Sequence, residues 1–222
     1  MRMLSGFAGL RGSIVTLLMA TVSCAPASLE GPAEYQSPEP GTVYRYRDVA
    51  NVILESDGIR TRFRDNQGRV AERVGLFLTD DPEDRMQIDT VALMSLWPLV
   101  PEKEAVVETK RANGEVFETE FRVSRVEPVE TGMGMVDAII VQGVTTPKLV
   151  RDPETARSIM NSWWYSPDLN AVVRFRTTFL AGPGQGTVVG DRLVEIMDEE
   201  SYREWLKEQR TMPDSNMVIG DE

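Results

Sequence analysis

Phe117-Glu118-Thr119-Glu120-Phe121-Arg122-Val123 sets Phe117, Thr119, Phe121 and Val123 on one side of an extended chain and Glu118, Glu120 and Arg122 on the other. A period of two with one apolar side marks a strand in a sheet that is wetted on one face. The pattern recurs in the sequence. Tyr44 and Tyr46 alternate with Arg45 and Arg47, and Ile59, Thr61 and Phe63 alternate with Arg60, Arg62 and Arg64. Turn chemistry separates these runs: Asp57-Gly58, Asn66-Gln67-Gly68 and Asn113-Gly114 tolerate the positive φ of tight hairpins. Further strands are predicted near residues 50–56, 69–79, 104–111, 135–142, 157–166, 171–179 and 187–197, which makes antiparallel sheet the main component.

Two helices are expected. The first should start at Asp81 as N-cap, with Pro82 next and acids at Glu83 and Asp84, and run to about Leu96 before Pro98 stops it. The second should start at Ser201, whose spacing to Glu204 makes a capping box, with Tyr202, Trp205 and Leu206 on the face that docks against the sheet. Beyond Pro213 the chain is short, polar and acidic, so a frayed tail is expected. No repeat at solenoid or propeller periods is present.

Composition excludes much chemistry. The 222 residues hold 24 Lys plus Arg, 35 Asp plus Glu, one Cys and no His, for a net charge of −11. Without imidazole there is no Ser-His-Asp triad, no Cys-His dyad and no His-ligated metal centre. One sulfur cannot form an intramolecular disulfide or a CxxC pair. The acidic balance, with no basic block, argues against a nucleic-acid partner. No cofactor motif is present, and no metal site is expected.

The N-terminus suggests an address. Arg2 and Arg11 precede an apolar run from Ile14 to Val22, and no acid occurs before Cys24. A basic start followed by an apolar stretch of about 10 residues fits a secretory signal and is too short to span a bilayer. Cys24 stands directly behind Thr21-Val22-Ser23, which resembles the lipobox of bacterial lipoproteins, although Thr21 replaces the usual Leu. The resemblance implies lipidation of Cys24 with acyl chains such as palmitate. Ala25-Pro26-Ala27 offers an alternative site for ordinary cleavage. The residue after the Cys is Ala25 rather than an acid. By resemblance to enterobacterial sorting, this implies the periplasmic face of the outer membrane. Pro26, Pro32, Pro38 and Pro40 then suit an extended tether. The expected organisation is signal peptide 1–23, lipid anchor and flexible tether 24–41, β domain 42–212 and disordered tail 213–222.

Several clusters invite functional readings. Asp80, Asp81, Glu83, Asp84 and Asp89 suit the dipole at a helix N-terminus and lack the ligand alternation and central Gly of an EF-hand. Gly182-Pro183-Gly184-Gln185-Gly186 has the glycines of a phosphate loop but neither a following helix nor a Lys-Ser/Thr pair, so a strand connection is expected. Gly132-Met133-Gly134-Met135 is expected to be a turn. Arg60, Arg62, Arg64, Arg174 and Arg176 are expected to pair across strands with acids such as Glu118 and Glu120. On a strand, Trp163 and Tyr165 face one way and Trp164 the other. One side should pack in the core and the other meet a helix, either the 81–96 segment or the Trp205 helix. Alternatively, Trp163, Trp164 and Tyr165 belong to a concave sheet that accepts an apolar ligand such as an acyl chain.

Trp97-Pro98-Leu99, together with Trp164-Tyr165-Ser166-Pro167-Asp168-Leu169 leading into Val172-Val173-Arg174-Phe175, resembles exported bacterial β-rich domains, many of them lipoproteins, that carry WPL and WYSPELG-like segments. The likeness covers roughly residues 90–180. Val100-Pro101-Glu102-Lys103 stands where a Gly-containing turn is usual, and Asn170 stands where Gly is usual; Asn tolerates the left-handed conformation. This family is largely uncharacterised, so the resemblance implies a curved sheet with a covering helix and carries no active-site residues. The expected fold is mainly β (α+β): a strongly curved antiparallel sheet or half-barrel with one covering helix and a short C-terminal helix. The expected role is that of a non-enzymatic cell-envelope lipoprotein that binds an apolar ligand or an envelope partner protein. The alternatives are a structural or assembly factor acting through its surface and a carboxylate-dependent hydrolase of wall glycans.

Overall fold

A computed structural model describes residues 31–47, 49–80 and 86–211. Short turns join β1 (Thr42–Tyr46), β2 (Ala50–Asp57), β3 (Arg60–Asp65), β4 (Val70–Val74) and β5 (Leu78–Asp80). After β6 (Gln87–Ile88) and helix α1 (Thr90–Met94) come β7 (Glu104–Lys110), β8 (Val116–Thr131), β9 (Gly134–Leu149), β10 (Ser158–Ser166), β11 (Ala171–Ala181) and β12 (Val188–Asp198), followed by helix α2 (Glu199–Thr211). The strands form one sheet of order β5-β4-β3-β2-β1-β12-β11-β10-β9-β8-β7-β6, antiparallel at every pairing. It is a meander whose first and last strands pair with each other, so both open edges fall in mid-chain. The expected mainly β class is the one observed.

Curvature has a local cause. Register shifts interrupt the ladders at Arg45/Tyr46, Ile53/Glu55, Val123/Val126 and Trp164/Tyr165. Each extra residue bends its strand and increases the right-handed twist. The main core contains Phe121, Val123, Ile139, Val141, Trp163 and Tyr165, joined by Leu93 and Leu96 from α1 and its C-terminal flank. A second cluster contains Tyr44, Tyr46, Ile53, Phe63 and Leu193 together with Trp164, Ile140, Ala138 and Val129. On β1 and β2, Val43, Ala50 and Val52 receive Tyr202, Trp205 and Leu206 of α2.

The structure corrects several expectations. Helix α1 does not extend back to Asp81: Gln87 and Ile88 pair with Lys110 and Thr109, and Asp89 is the N-cap, its carboxylate accepting from Ala92 N at 3.0 Å. Residues 81–85 lie outside the described set, so the other expected capping acids there are not placed. α2 begins two residues before Ser201, with Asp198 accepting from the Ser201 N–H at 2.7 Å. The arginines of β3 do not reach Glu118 or Glu120, because β3 lies between β2 and β4 while β8 lies between β7 and β9. Arg60 pairs with Glu72, Arg62 with Glu55 at 2.6 Å and Arg64 with Glu199 at 3.1 Å, whereas Glu118 pairs with Lys148 at 2.6 Å. Among the described residues, no helix packs against Trp164; the hairpin residues Val129 and Ala138 belong to its cluster instead.

The two glycine-rich segments are strand connections. Gly182, Gly184 and Gly186 all have positive φ in the β11–β12 turn, and Gly134 has φ of 112° where β8 turns into β9. Among the described residues, no helix is long and apolar enough to cross a membrane.

Candidate functional site

The inner side of the curved sheet holds a cavity of about 800 Å³. Its floor is aromatic: Phe77 lies 5.3 Å from Trp163, and Phe175 lines the same space. Its walls include Thr109, Thr119, Thr145, Asn161 and Thr177, which stand at inward positions of their strands. These polar groups largely satisfy one another. The Thr119 and Thr145 hydroxyls are 2.8 Å apart, and Thr177 donates to Asn161 Oδ1 at 2.6 Å. A wall whose hydrogen bonds are internal presents methyl groups and rings to a guest, the usual surface of a pocket for apolar molecules.

The mouth is formed by the β7–β8 turn, with Arg111 and Glu115, and the β9–β10 connection, with Asp152 and Arg157. The opposite end is plugged. Trp97 stacks on Phe77 at 6.0 Å and meets Tyr35 and Tyr165 edge-on at 5.3 and 5.4 Å. Leu99 and Ala33 exchange backbone hydrogen bonds of 2.8 and 3.3 Å. Residues 33 and 35, within the stretch expected to be tether, thus lie against this end. The turn after β10 joins the plug through Asn170, which has φ of +45° and accepts from Tyr165 OH at 3.0 Å through its side chain and from Tyr44 OH at 3.1 Å through its carbonyl. Burial raises the pKa of both tyrosines, that of Tyr44 to about 12. The WPL and WYSPDL segments therefore meet in space, and both build the closed end.

Of the three aromatics singled out from sequence, the fold places only Trp163 at the cavity. Tyr165 is fully buried behind it in the plug. Trp164 points to the other face, where its indole N–H donates to Glu127 Oε1 at 2.5 Å and the Arg174 guanidinium lies 4.8 Å from its ring. Cys24 lies outside the described residues. Sequence reasoning missed the threonines and Arg73. Thr119 was visible as a hydroxyl on the apolar side of a strand, but Arg73 had no such signal.

Charge at the site is unevenly matched. Three arginines line the cavity against two acids, and each cation lies over a phenyl ring: Arg73 over Phe63 at 4.9 Å, Arg111 over Phe117 at 4.7 Å and Arg157 over Phe179 at 5.5 Å. Arg111 also lies 3.5 Å from Glu115. Hydrogen bonds from the Asn113 amide and the Arg151 N–H hold Glu115 below its ordinary pKa. Asp152 is exposed and accepts from Glu154 N at 3.0 Å. A general acid needs a carboxyl kept protonated, the opposite of what surrounds Glu115. Among the described residues, no group of three or more acidic or Cys side chains could hold a metal ion.

No protein-family model and no curated protein matches the sequence. The fold is similar to that of hypothetical lipoprotein YmcC from Escherichia coli, with TM-score 0.44 and 11% identity over 69% of this chain and 82% of that one. It is also similar to an exported protein with a YmcC-like fold from Bacteroides fragilis, with TM-score 0.41 and 12% identity over 76% of this chain and all of that one. A lipoprotein from Parabacteroides distasonis gives TM-score 0.42 and 13% identity over 75% and 98% of the two chains.

Proposed function

We propose that this protein is a non-enzymatic cell-envelope lipoprotein that holds an apolar guest inside its half-barrel. The observation that supports this most directly is the cavity of about 800 Å³, floored by Phe77, Trp163 and Phe175. Its size is within the roughly 300–1,000 Å³ range of small-molecule sites. A surface-acting assembly factor would be better served by a filled interior. The address rests on the sequence: a signal-like start and the lone Cys24, whose acyl chains would anchor the protein at the periplasmic face of the outer membrane.

Titration with the neutral fluorophore N-phenyl-1-naphthylamine tests the binding function. Saturable fluorescence gain, accompanied by quenching of Trp163, is expected. Trp163→Phe should keep the fold and weaken uptake several-fold, whereas Trp164→Phe, on the far face, should leave uptake unchanged. Absence of saturable uptake by the folded protein would remove the proposal.

A further inference from the structure

Arg73 pairs through its backbone with Thr61 and Thr79, and its guanidinium faces the phenol of Tyr46, whose hydroxyl donates to Val172 O. Its side chain is half-buried at the cavity wall, against the Phe63 ring. Among the described residues, no carboxylate lies within ion-pair distance of it, although β3 and β4 neighbours such as Arg60 and Arg62 have glutamate partners. The two cavity acids are committed elsewhere, Glu115 to Asn113, Arg151 N–H and Arg111, and Asp152 to the turn at Glu154. The nearby wall hydroxyls and amide are paired with one another. Stacking on phenyl occupies the face of a guanidinium and the neutral Tyr46 phenol engages only part of its N–H edge, so donors that match carboxylate and phosphate oxygens remain. A partly desolvated cation gains most from a counter-charge that arrives with the guest.

Resting on the binding role proposed above, we infer that the cavity selects single-chain amphiphiles with an anionic head, a carboxylate or a phosphate monoester. The head group pairs with Arg73, and the chain lies against Phe77, Trp163 and Phe175. Arg157, exposed at the mouth over Phe179, meets the same head group during entry, where water screens its charge.

The test uses the exported chain carrying Cys24→Ser, loaded with N-phenyl-1-naphthylamine and displaced separately by dodecanoate, dodecyl phosphate and dodecanol. At least one anion should displace the dye about tenfold better than the alcohol, the size of one charge-assisted hydrogen-bonded contact. The anion that competes better identifies the head-group chemistry. Arg73→Gln should erase that preference while dodecanol stays within about twofold, Arg73→Lys should retain part of it, and Arg157→Gln should retain most of it. Equal displacement by alcohol and anions in the parent chain, or an anion preference that survives Arg73→Gln, would overturn head-group selection and leave apolar binding standing. If Arg73→Gln does not fold, the parent chain's anion-to-alcohol ratio in low and high salt decides: selection by Arg73 requires it to fall as salt rises. Failure of the dye and of dodecanol to bind at all would instead remove the underlying binding role.

Discussion

Asn170 shows how a single residue can tie together the plugged end of a half-barrel. It turns the chain with φ of +45°, receives the Tyr165 hydroxyl on its side chain and offers its carbonyl to Tyr44. Asn170→Gly should keep the turn but lose the Tyr165 contact, costing about 1 kcal/mol. Asn170→Ala adds the strain of a left-handed non-Gly residue and should cost about 2–3 kcal/mol. Chemical denaturation of the two variants would check the order. Tyr44 predicts an alkaline limit. Its pKa is raised from 10.0 to about 12 by burial, so its neutral form stabilises the fold. That contribution is complete below pH 10 and is lost as pH rises toward about 12. Tyrosinate absorbance should therefore rise together with loss of near-UV circular dichroism.

At the scale of elements, the long β8–β9 hairpin folds its tip against β12. Gly132 N–H donates to Leu193 O at 3.3 Å, and a Cβ on Gly132 would lie 2.2 Å from Val194 O. The residue there is glycine because two backbones touch. Gly132→Ala must push the tip away from β12, and a loss of about 1–3 kcal/mol is expected by thermal unfolding. Gly134→Ala, at φ of 112° with nothing near its Cβ, tests backbone strain alone. Helix α2 offers a further check. Asp198 accepts from the N–H and hydroxyl of Ser201, which holds its carboxyl below the ordinary range. A carboxylate with a lowered folded pKa stabilises above its unfolded pKa and ceases to do so as pH falls through the folded value. The first turn of α2 should therefore loosen in acid, and Asp198→Asn should flatten that response.

At the scale of the whole molecule, the described chain enters at the plugged end, where Ala33 meets Leu99, and the cavity opens at the other end between the β7–β8 and β9–β10 connections. Intact-mass analysis of the protein extracted from its own membranes should show acyl chains on Cys24; an unmodified full-length chain would contradict the proposed address. With no histidine, no side chain has an unperturbed pKa between about pH 5 and 8. Stability of the unliganded protein should accordingly be flat across about pH 6–8, which denaturation at several pH values would establish.

Strand positions and hairpin turns were legible because alternation and positive-φ chemistry act between near neighbours. Phe117 to Val123, Asn113-Gly114 and Asn170 announced their geometry without the rest of the chain. Helix α1 starts later than the sequence suggests because Gln87 and Ile88 are drawn into a ladder with β7, a long-range pairing that local helix signals do not record. The sequence by itself determined a mainly β chain with sided strands, a lone Cys24 and no histidine. Only the tertiary structure decided which inward side chains face a void and which face a plug. That outcome depends on bulges summed around the sheet and on a seam that brings Arg45 to Glu195, 150 positions away. Trp163 and Tyr165 are on the same face of one strand, yet one reaches the cavity and the other does not. No local pattern records that difference.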